Sequence, residues 1–342
     1  MKKNLTILVS LTLSDKARSM ISQACENVEI RLGDWINDTG QTLPPSIMKG
    51  VDVLICEIPP ENFDDFDQLK WVQLTSAGYS QIFDLPILER GIRVTNGLGN
   101  FDTPIAEWNI MMMLIWHRRM LDMLQNQKKH IWDNGAKFQQ ELRSSRVGFY
   151  GYGGIARQTA RLAKAMGLEV WAMTPNGKTK KRDRVYCVEG TGDPEGTLPD
   201  RIFSLQQDKE FFGNLDYLII TSALTETTRG AIGEEQLRML KPSAVLINPA
   251  RAQMIDEQVY IKCLRENWIR GSSLDVHYAY PLPPEHPLWS MPNIIMTPHI
   301  SGSVECPYFF DRVYDIFSQN LKRYCNGEPL INELSAEQIR GE

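Results

Sequence analysis

The stretch VGFYGYGGIARQTARLAKAMGLEV, residues 147–170, decides the fold. It opens as an apolar run that reads as a strand through Tyr150, then packs small residues at Gly151, Gly153, Gly154 and Ala156, and continues as a helix. EVWAM (169–173) follows as the next strand. Strand, glycine turn, helix and strand in this order form the βαβ unit of a dinucleotide-binding fold. Gly151 permits the tight turn, Gly153 lets the backbone approach a pyrophosphate, and Ala156 lets the helix pack close to its strand. Unpaired N–H groups at the helix start face the anion. Tyr152, Gly154 and Ile155 complete this expected cradle.

The end of the second strand selects the dinucleotide, because an acid there grips the ribose hydroxyls of NAD. Thr174 stands in that place, followed by Asn176, Lys178, Lys180, Lys181 and Arg182. A hydroxyl and an amide with cations nearby suit a 2′-phosphate, which favours NADP over NAD. The rival reading is a solvated basic loop.

Working outward, short runs rich in Val, Ile and Leu alternate with amphipathic stretches, the rhythm of α/β folds with parallel sheets. Segments 6–10, 28–32, 51–57, 71–75 and 92–96 read as strands before the glycine turn, and 215–223, 244–250, 272–276 and 293–298 read as strands after it. Ser14 is placed to cap a helix over 14–27. From about Pro104 to Lys129 the chain reads as one long helix, apolar on more than one face. Residues 174–214 exceed an ordinary connection and read as a surface excursion at the edge of the second domain. A last helix is expected near 304–326.

A chain of 342 residues exceeds one ordinary hydrophobic core, so two domains are expected. With 37 basic and 42 acidic residues, the charge of -5 offers no footprint for nucleic acid or an anionic membrane. The opening MKKNLTILVSLTL imitates a signal peptide, but polar breaks and the lack of a small-x-small site favour a buried first strand. No stretch reaches the roughly 18–20 apolar residues of a membrane span. Six cysteines without CxxC spacing point to reduced thiols in a cytoplasmic protein and to no metal site.

Three further motifs fall at the ends of expected strands: INPARAQMIDE (247–257), LDVHYAYPLPPEHPLW (274–289) and TPHISG (297–302). Together with the glycine turn, TSAGYSQI (75–82) and TNGLGNFDTPIAEW (95–108), they make the chain resemble the D-isomer-specific 2-hydroxyacid dehydrogenases, including their formate and glycerate dehydrogenase branches. The resemblance covers most of the chain. It implies two Rossmann-like or flavodoxin-like domains: a discontinuous substrate domain, 1–101 plus 300–342, and a dinucleotide-binding domain, 102–299. It also implies a homodimer built on the helix after Thr103.

For chemistry, the resemblance implies hydride transfer between NADP or NAD and a small 2-keto or 2-hydroxy acid. Arg251 would bind the substrate carboxylate and polarise the keto group, and His299 would be the general acid. Backbone N–H groups of Ser76, Ala77, Gly78 and Tyr79 would hold the carboxylate from the other side. Ala223, Pro249, Ala250 and Gly302 would line the cofactor, and Asp275 would meet the nicotinamide carboxamide, with loop capping as the rival role.

One position departs from the family pattern. A glutamate normally precedes the loop proline and raises the pKa of the catalytic histidine, whereas this sequence has Tyr280 before Pro281. A phenol can orient His299 through one hydrogen bond but carries no charge near neutral pH. Three readings stay open: a 2-keto acid reductase with a less basic histidine, a formate-type hydride transfer that needs no proton, and a cofactor-binding protein with little turnover.

Overall fold

The computed structural model describes residues 5–33 and 41–341. Lys2 and Lys3, the basic start of the signal-like segment, lie outside them. The chain forms two compact units: Met1–Phe101 with Asp183–Val188 and Val304–Glu342, and Asp102–Arg182 with Glu189–Ser303.

In the first unit, β1 (Leu5–Val9), β2 (Val28–Leu32), β3 (Val53–Cys56), β4 (Trp71–Leu74) and β5 (Arg93–Thr95) form a parallel sheet of order β2-β1-β3-β4-β5. This is the flavodoxin-like winding. Side chains alternate between its faces: Leu8, Leu54 and Val72 enter one core, Ile7, Val9, Val53 and Trp71 the other. Helix Asp15–Ala24 starts where Ser14 accepts the Ala17 N–H at 3.1 Å. Against the expectation of reduced thiols, Cys25 is disulfide-bonded to Cys325 at the end of helix Pro307–Cys325, with Cα atoms 6.5 Å apart. Two cysteines 300 residues apart show no local spacing to betray the pairing.

In the second unit, β6 (Arg146–Tyr150), β7 (Glu169–Met173), β8 (Arg201–Phe203), β9 (Tyr217–Ile220), β10 (Val245–Asn248), β11 (Gly271–Leu274) and β12 (Ile294–Met296) form a seven-stranded parallel sheet. Its order, β12-β11-β10-β9-β6-β7-β8, reverses between β6 and β9. Ligands of doubly wound sheets bind outside the strand ends at such a switch point. Both faces are covered, which explains the nearly unbroken apolar strands: Val147, Phe149 and Ile219 face one core, Tyr150, Leu218 and Leu246 the other.

Two expectations need correction. The long helix is interrupted: Asp102–His117 ends before Arg119, whose left-handed backbone (φ 50°) turns the chain into a second helix, Met120–Lys128. The excursion is more than surface. It contributes β8 to the sheet edge, and its segment 183–188 belongs to the first unit, where Tyr186 packs with Ile316 and Ile331. The second unit runs through Ser303.

Candidate active site

Because the second sheet is parallel, the segments after β6, β7, β9, β10, β11 and β12 all leave from one edge. Gly151 takes φ +92°, and a Cβ there would lie 2.9 Å from the Ser222 backbone, so both conformation and space call for glycine. Around Gly153 the space is open, and an added Cβ would meet nothing within 4 Å. Gly153 caps helix Gly154–Ala165, whose first N–H groups lack partners within the helix. A tight turn, open space and a helix start fit the pyrophosphate of a dinucleotide. Tyr152 joins through its backbone alone, because its side chain is buried and its hydroxyl donates to Asp193 Oδ2 at 2.9 Å. Ile155 is half-buried in the first turn of the same helix.

After β7, the Thr174 hydroxyl donates to the Lys178 carbonyl and accepts the Lys178 N–H, both at 3.0 Å. Asn176 Oδ1 accepts the same N–H at 3.2 Å. These side chains therefore close their own loop, a use the sequence reading did not foresee. Lys178 and Lys180 are exposed, and Lys181 pairs with Glu195 at 2.7 Å. After β9, Ala223 is exposed and its carbonyl accepts the Thr228 hydroxyl at 2.8 Å.

The turn after β10 shows why an asparagine opens the N-P-A-R segment. Buried Asn248 accepts the Ala250 N–H at 3.0 Å and donates to the Arg251 carbonyl at 2.9 Å. Pro249 is buried within the turn and Ala250 half-buried. Arg251 is exposed at the turn's end, its Nη1 donating to the Ala250 carbonyl at 2.7 Å.

Asp275, after β11, is fully buried. One oxygen accepts the Thr297 hydroxyl (2.6 Å) and the Ile300 N–H (2.9 Å). The other accepts the Ser301 N–H (2.9 Å) and the Ser301 hydroxyl. Four donors engage both oxygens, so Asp275 caps the loop. Asp275 thereby fixes the TPHISG turn on both sides of His299. His299 itself sits at φ +58°, a conformation unusual for a side chain with Cβ. Gly302 follows, half-buried.

His299 is exposed by surface area, yet neighbouring atoms partly desolvate its ring and hold its pKa below the ordinary value of 6.5; the Asp275 carboxylate pulls it up, and Arg251 and His277 push it down. Tyr280 lies beside it, with ring centroids 5.5 Å apart. The Tyr280 Oη accepts the backbone N–H of His277 at 3.0 Å, which leaves its own O–H as a donor, and no hydrogen bond between it and the His299 ring is present among the described residues. His277 Nε2 lies 2.9 Å from the Thr297 carbonyl. A carbonyl only accepts, so Nε2 carries the proton, and buried Nδ1 has no partner among the described residues. The sequence left His277 without a role; its spacing from Tyr280 was the available signal.

In the first unit, Ser76–Tyr79 follow β4. The Ser76 hydroxyl donates to the Gly78 carbonyl at 2.7 Å and accepts from Gln81 at 2.9 Å, and Asn96 donates to the Ala77 carbonyl at 2.8 Å. Gly78 is exposed, and the Tyr79 ring packs on Phe83.

A doubly wound sheet with a glycine cradle at its switch point, an arginine turn and a caged histidine defines a nucleotide-dependent enzyme class. The family model "D-isomer specific 2-hydroxyacid dehydrogenase, NAD binding domain" matches residues 110–301, and the chain belongs to that family. A glyoxylate reductase of Thermofilum pendens is 28% identical over 338 residues, covering 94% of this chain and 92% of that protein. A D-isomer specific 2-hydroxyacid dehydrogenase family protein of Aeromonas salmonicida shares the fold with a TM-score of 0.80 at 23% identity, over 97% of this chain and 99% of that one. An NADPH-dependent glyoxylate/hydroxypyruvate reductase of Sinorhizobium meliloti, solved with NADP and sulfate, gives a TM-score of 0.74 at 22% identity, over 99% and 100%. The chain is a nicotinamide-dependent oxidoreductase of 2-hydroxy and 2-keto acids. Among the described residues, no helix is long and apolar enough to cross a membrane.

Proposed function

We propose that the chain reduces a small 2-keto acid, with Arg251 and His299 as its catalytic residues and Tyr280 as their neighbour. The observation that carries this reading is the Asp275 cage, which holds His299 in a left-handed backbone beside Arg251's turn, on the edge that also bears the glycine cradle. A bound, reduced nicotinamide supplies hydride to the keto carbon. Arg251, planar and permanently charged, pairs with the carboxylate and polarises the keto oxygen. His299 delivers a proton to that oxygen as charge develops on it. The similarity to a glyoxylate reductase supports a short, unbranched acid.

NADPH is the proposed reductant. Supporting it are the missing acid after β7 and the exposed Lys178 and Lys180. The apolar groove lined by Met111, Leu114, Met120, Leu162 and Met166 supports a homodimer, since a second copy would cover it.

Dissociation constants and turnover with NADPH and NADH test this reading against a panel of small 2-keto acids. NADPH is expected to bind more tightly, and its absorbance to decay when acid is added. Tighter NADH binding would overturn the cofactor preference. Tight binding of either cofactor without decay, across the panel, would leave a binding protein in place of an enzyme.

A further inference from the structure

Arg182 is the residue of the excursion whose placement the roles above leave unexplained. Its side chain is only 17% exposed. Among the described residues, its guanidinium meets one carboxylate, Asp102, at 3.7 Å, beyond hydrogen-bond distance. Both groups lie against the first residue of the cradle helix: a Cβ on Gly154 would fall 2.0 Å from Asp102 Oδ2 and 2.6 Å from Arg182 Nη1. Next door, the space at Gly153 is open.

The backbone is built to hold Arg182 there. Its N–H donates to the Pro194 carbonyl at 2.9 Å. Two residues earlier, the Lys180 carbonyl accepts Nη2 of Arg157 at 2.8 Å. Arg157 is buried in the cradle helix and also donates to the carbonyls of Tyr152, in the glycine turn, and Asp193. Asp193 in turn accepts N–H groups of Gly196, Thr197 and Leu198 and the Tyr152 hydroxyl. Cradle and excursion are thus one hydrogen-bonded body, and Arg182 is its cation at the helix start.

The Asp102 carboxylate balances the charge of this largely buried guanidinium, but at 3.7 Å it leaves the N–H donors without a close acceptor, and buried donors are costly until an acceptor engages them. We propose that Arg182 is a ligand of the cofactor pyrophosphate, reaching the glycine turn from the excursion, with Asp102 fixing its position. Gly154 is glycine for the same reason, since any side chain would displace both charges. The guanidinium's planar fork suits phosphate oxygens, and it adds to the partial positive charge of the helix start. This rests on the reading that the chain binds a nicotinamide dinucleotide, but it is independent of the choice between NADP and NAD, which share the pyrophosphate.

The test is calorimetric titration of wild type, Arg182→Ala and Arg182→Lys with NADH, NADPH and adenosine, alongside thermal melting. Arg182→Ala is expected to raise the Kd of NADH and NADPH by one common factor, about tenfold or more, without weakening adenosine. Arg182→Lys, which keeps charge but loses the fork, should fall between. Unchanged Kd values in Arg182→Ala overturn the proposal and leave cofactor binding intact. A loss confined to NADPH overturns it too, assigning Arg182 to the 2′-phosphate. If Arg182→Ala melts early, Arg182→Lys decides: a shared loss of both cofactors at wild-type melting supports the contact, and wild-type affinity refutes it. Failure of wild type to bind either cofactor would refute the parent reading instead.

Discussion

Substituting His299 by asparagine is expected to lower kcat for keto-acid reduction by about 10²–10⁴-fold while leaving cofactor affinity unchanged, the usual worth of a positioned general acid. Asparagine is the informative replacement because residue 299 sits at φ +58°, and asparagine tolerates the left-handed region where alanine is strained. The cage that shapes this turn uses Thr297, Ile300 and Ser301 as donors, and the imidazole is not among them. Removing the ring should therefore leave the turn standing, and wild-type thermal melting would confirm it. Steady-state rates of cofactor oxidation read the effect. A kcat within about twofold of wild type would remove His299 as proton donor and assign the proton of reduction to water or another group.

The second large effect concerns the residue beside it. In wild type, the Tyr280 oxygen accepts the backbone N–H of His277 and carries no charge near neutrality, and both oxygens of Asp275 are committed to the turn. His299 thus works with its pKa below 6.5, lowered chiefly by partial desolvation of its ring. For a proton donor the sign is definite: reduction is fastest below that pKa and falls as pH rises through it, while oxidation shows the reverse. Tyr280→Glu places an anion next to the imidazole. A charge-assisted hydrogen bond of about 1.5–3 kcal/mol corresponds to a rise of about one to two pKa units. The falling limb of kcat/KM for reduction should move to higher pH by up to that amount. Near neutrality this is a gain of about ten- to a hundredfold in protonated His299. Superimposable pH profiles would show that the phenol does not limit proton donation.

The local parts of this account were legible in the sequence, and the tertiary parts were not. Strands such as VGFY and LINPA announce themselves because both faces of a parallel sheet are buried, and Gly151 marks a turn that needs positive φ. Arg251 and His299 were singled out because ordered motifs place them after strands, and the structure places them after β10 and β12. By contrast, the four donors on Asp275 come from residues 22 to 26 positions away, and nothing in the alternation of a strand foretells them. The excursion hid an edge strand of three residues, too short for a period. It also hid a segment that packs in the first unit and an arginine that reaches the glycine turn. Thr174 was read by its residue type, and its hydroxyl turned out to close its own loop. Tyr280 was singled out by its place before Pro281; that its oxygen accepts the backbone N–H of His277 is a contact no sequence pattern announces.

The central claim is hydride delivery to a keto carbon, and isotopic transfer tests it most directly. Wild-type protein would be mixed with NADPH deuterated at C4, prepared on each face in turn, and a small 2-keto acid, and the product analysed by mass spectrometry. The account predicts a 2-hydroxy acid carrying deuterium at C2 with one of the two labelled cofactors. Cofactor that binds but yields no deuterated hydroxy acid from either face would contradict it.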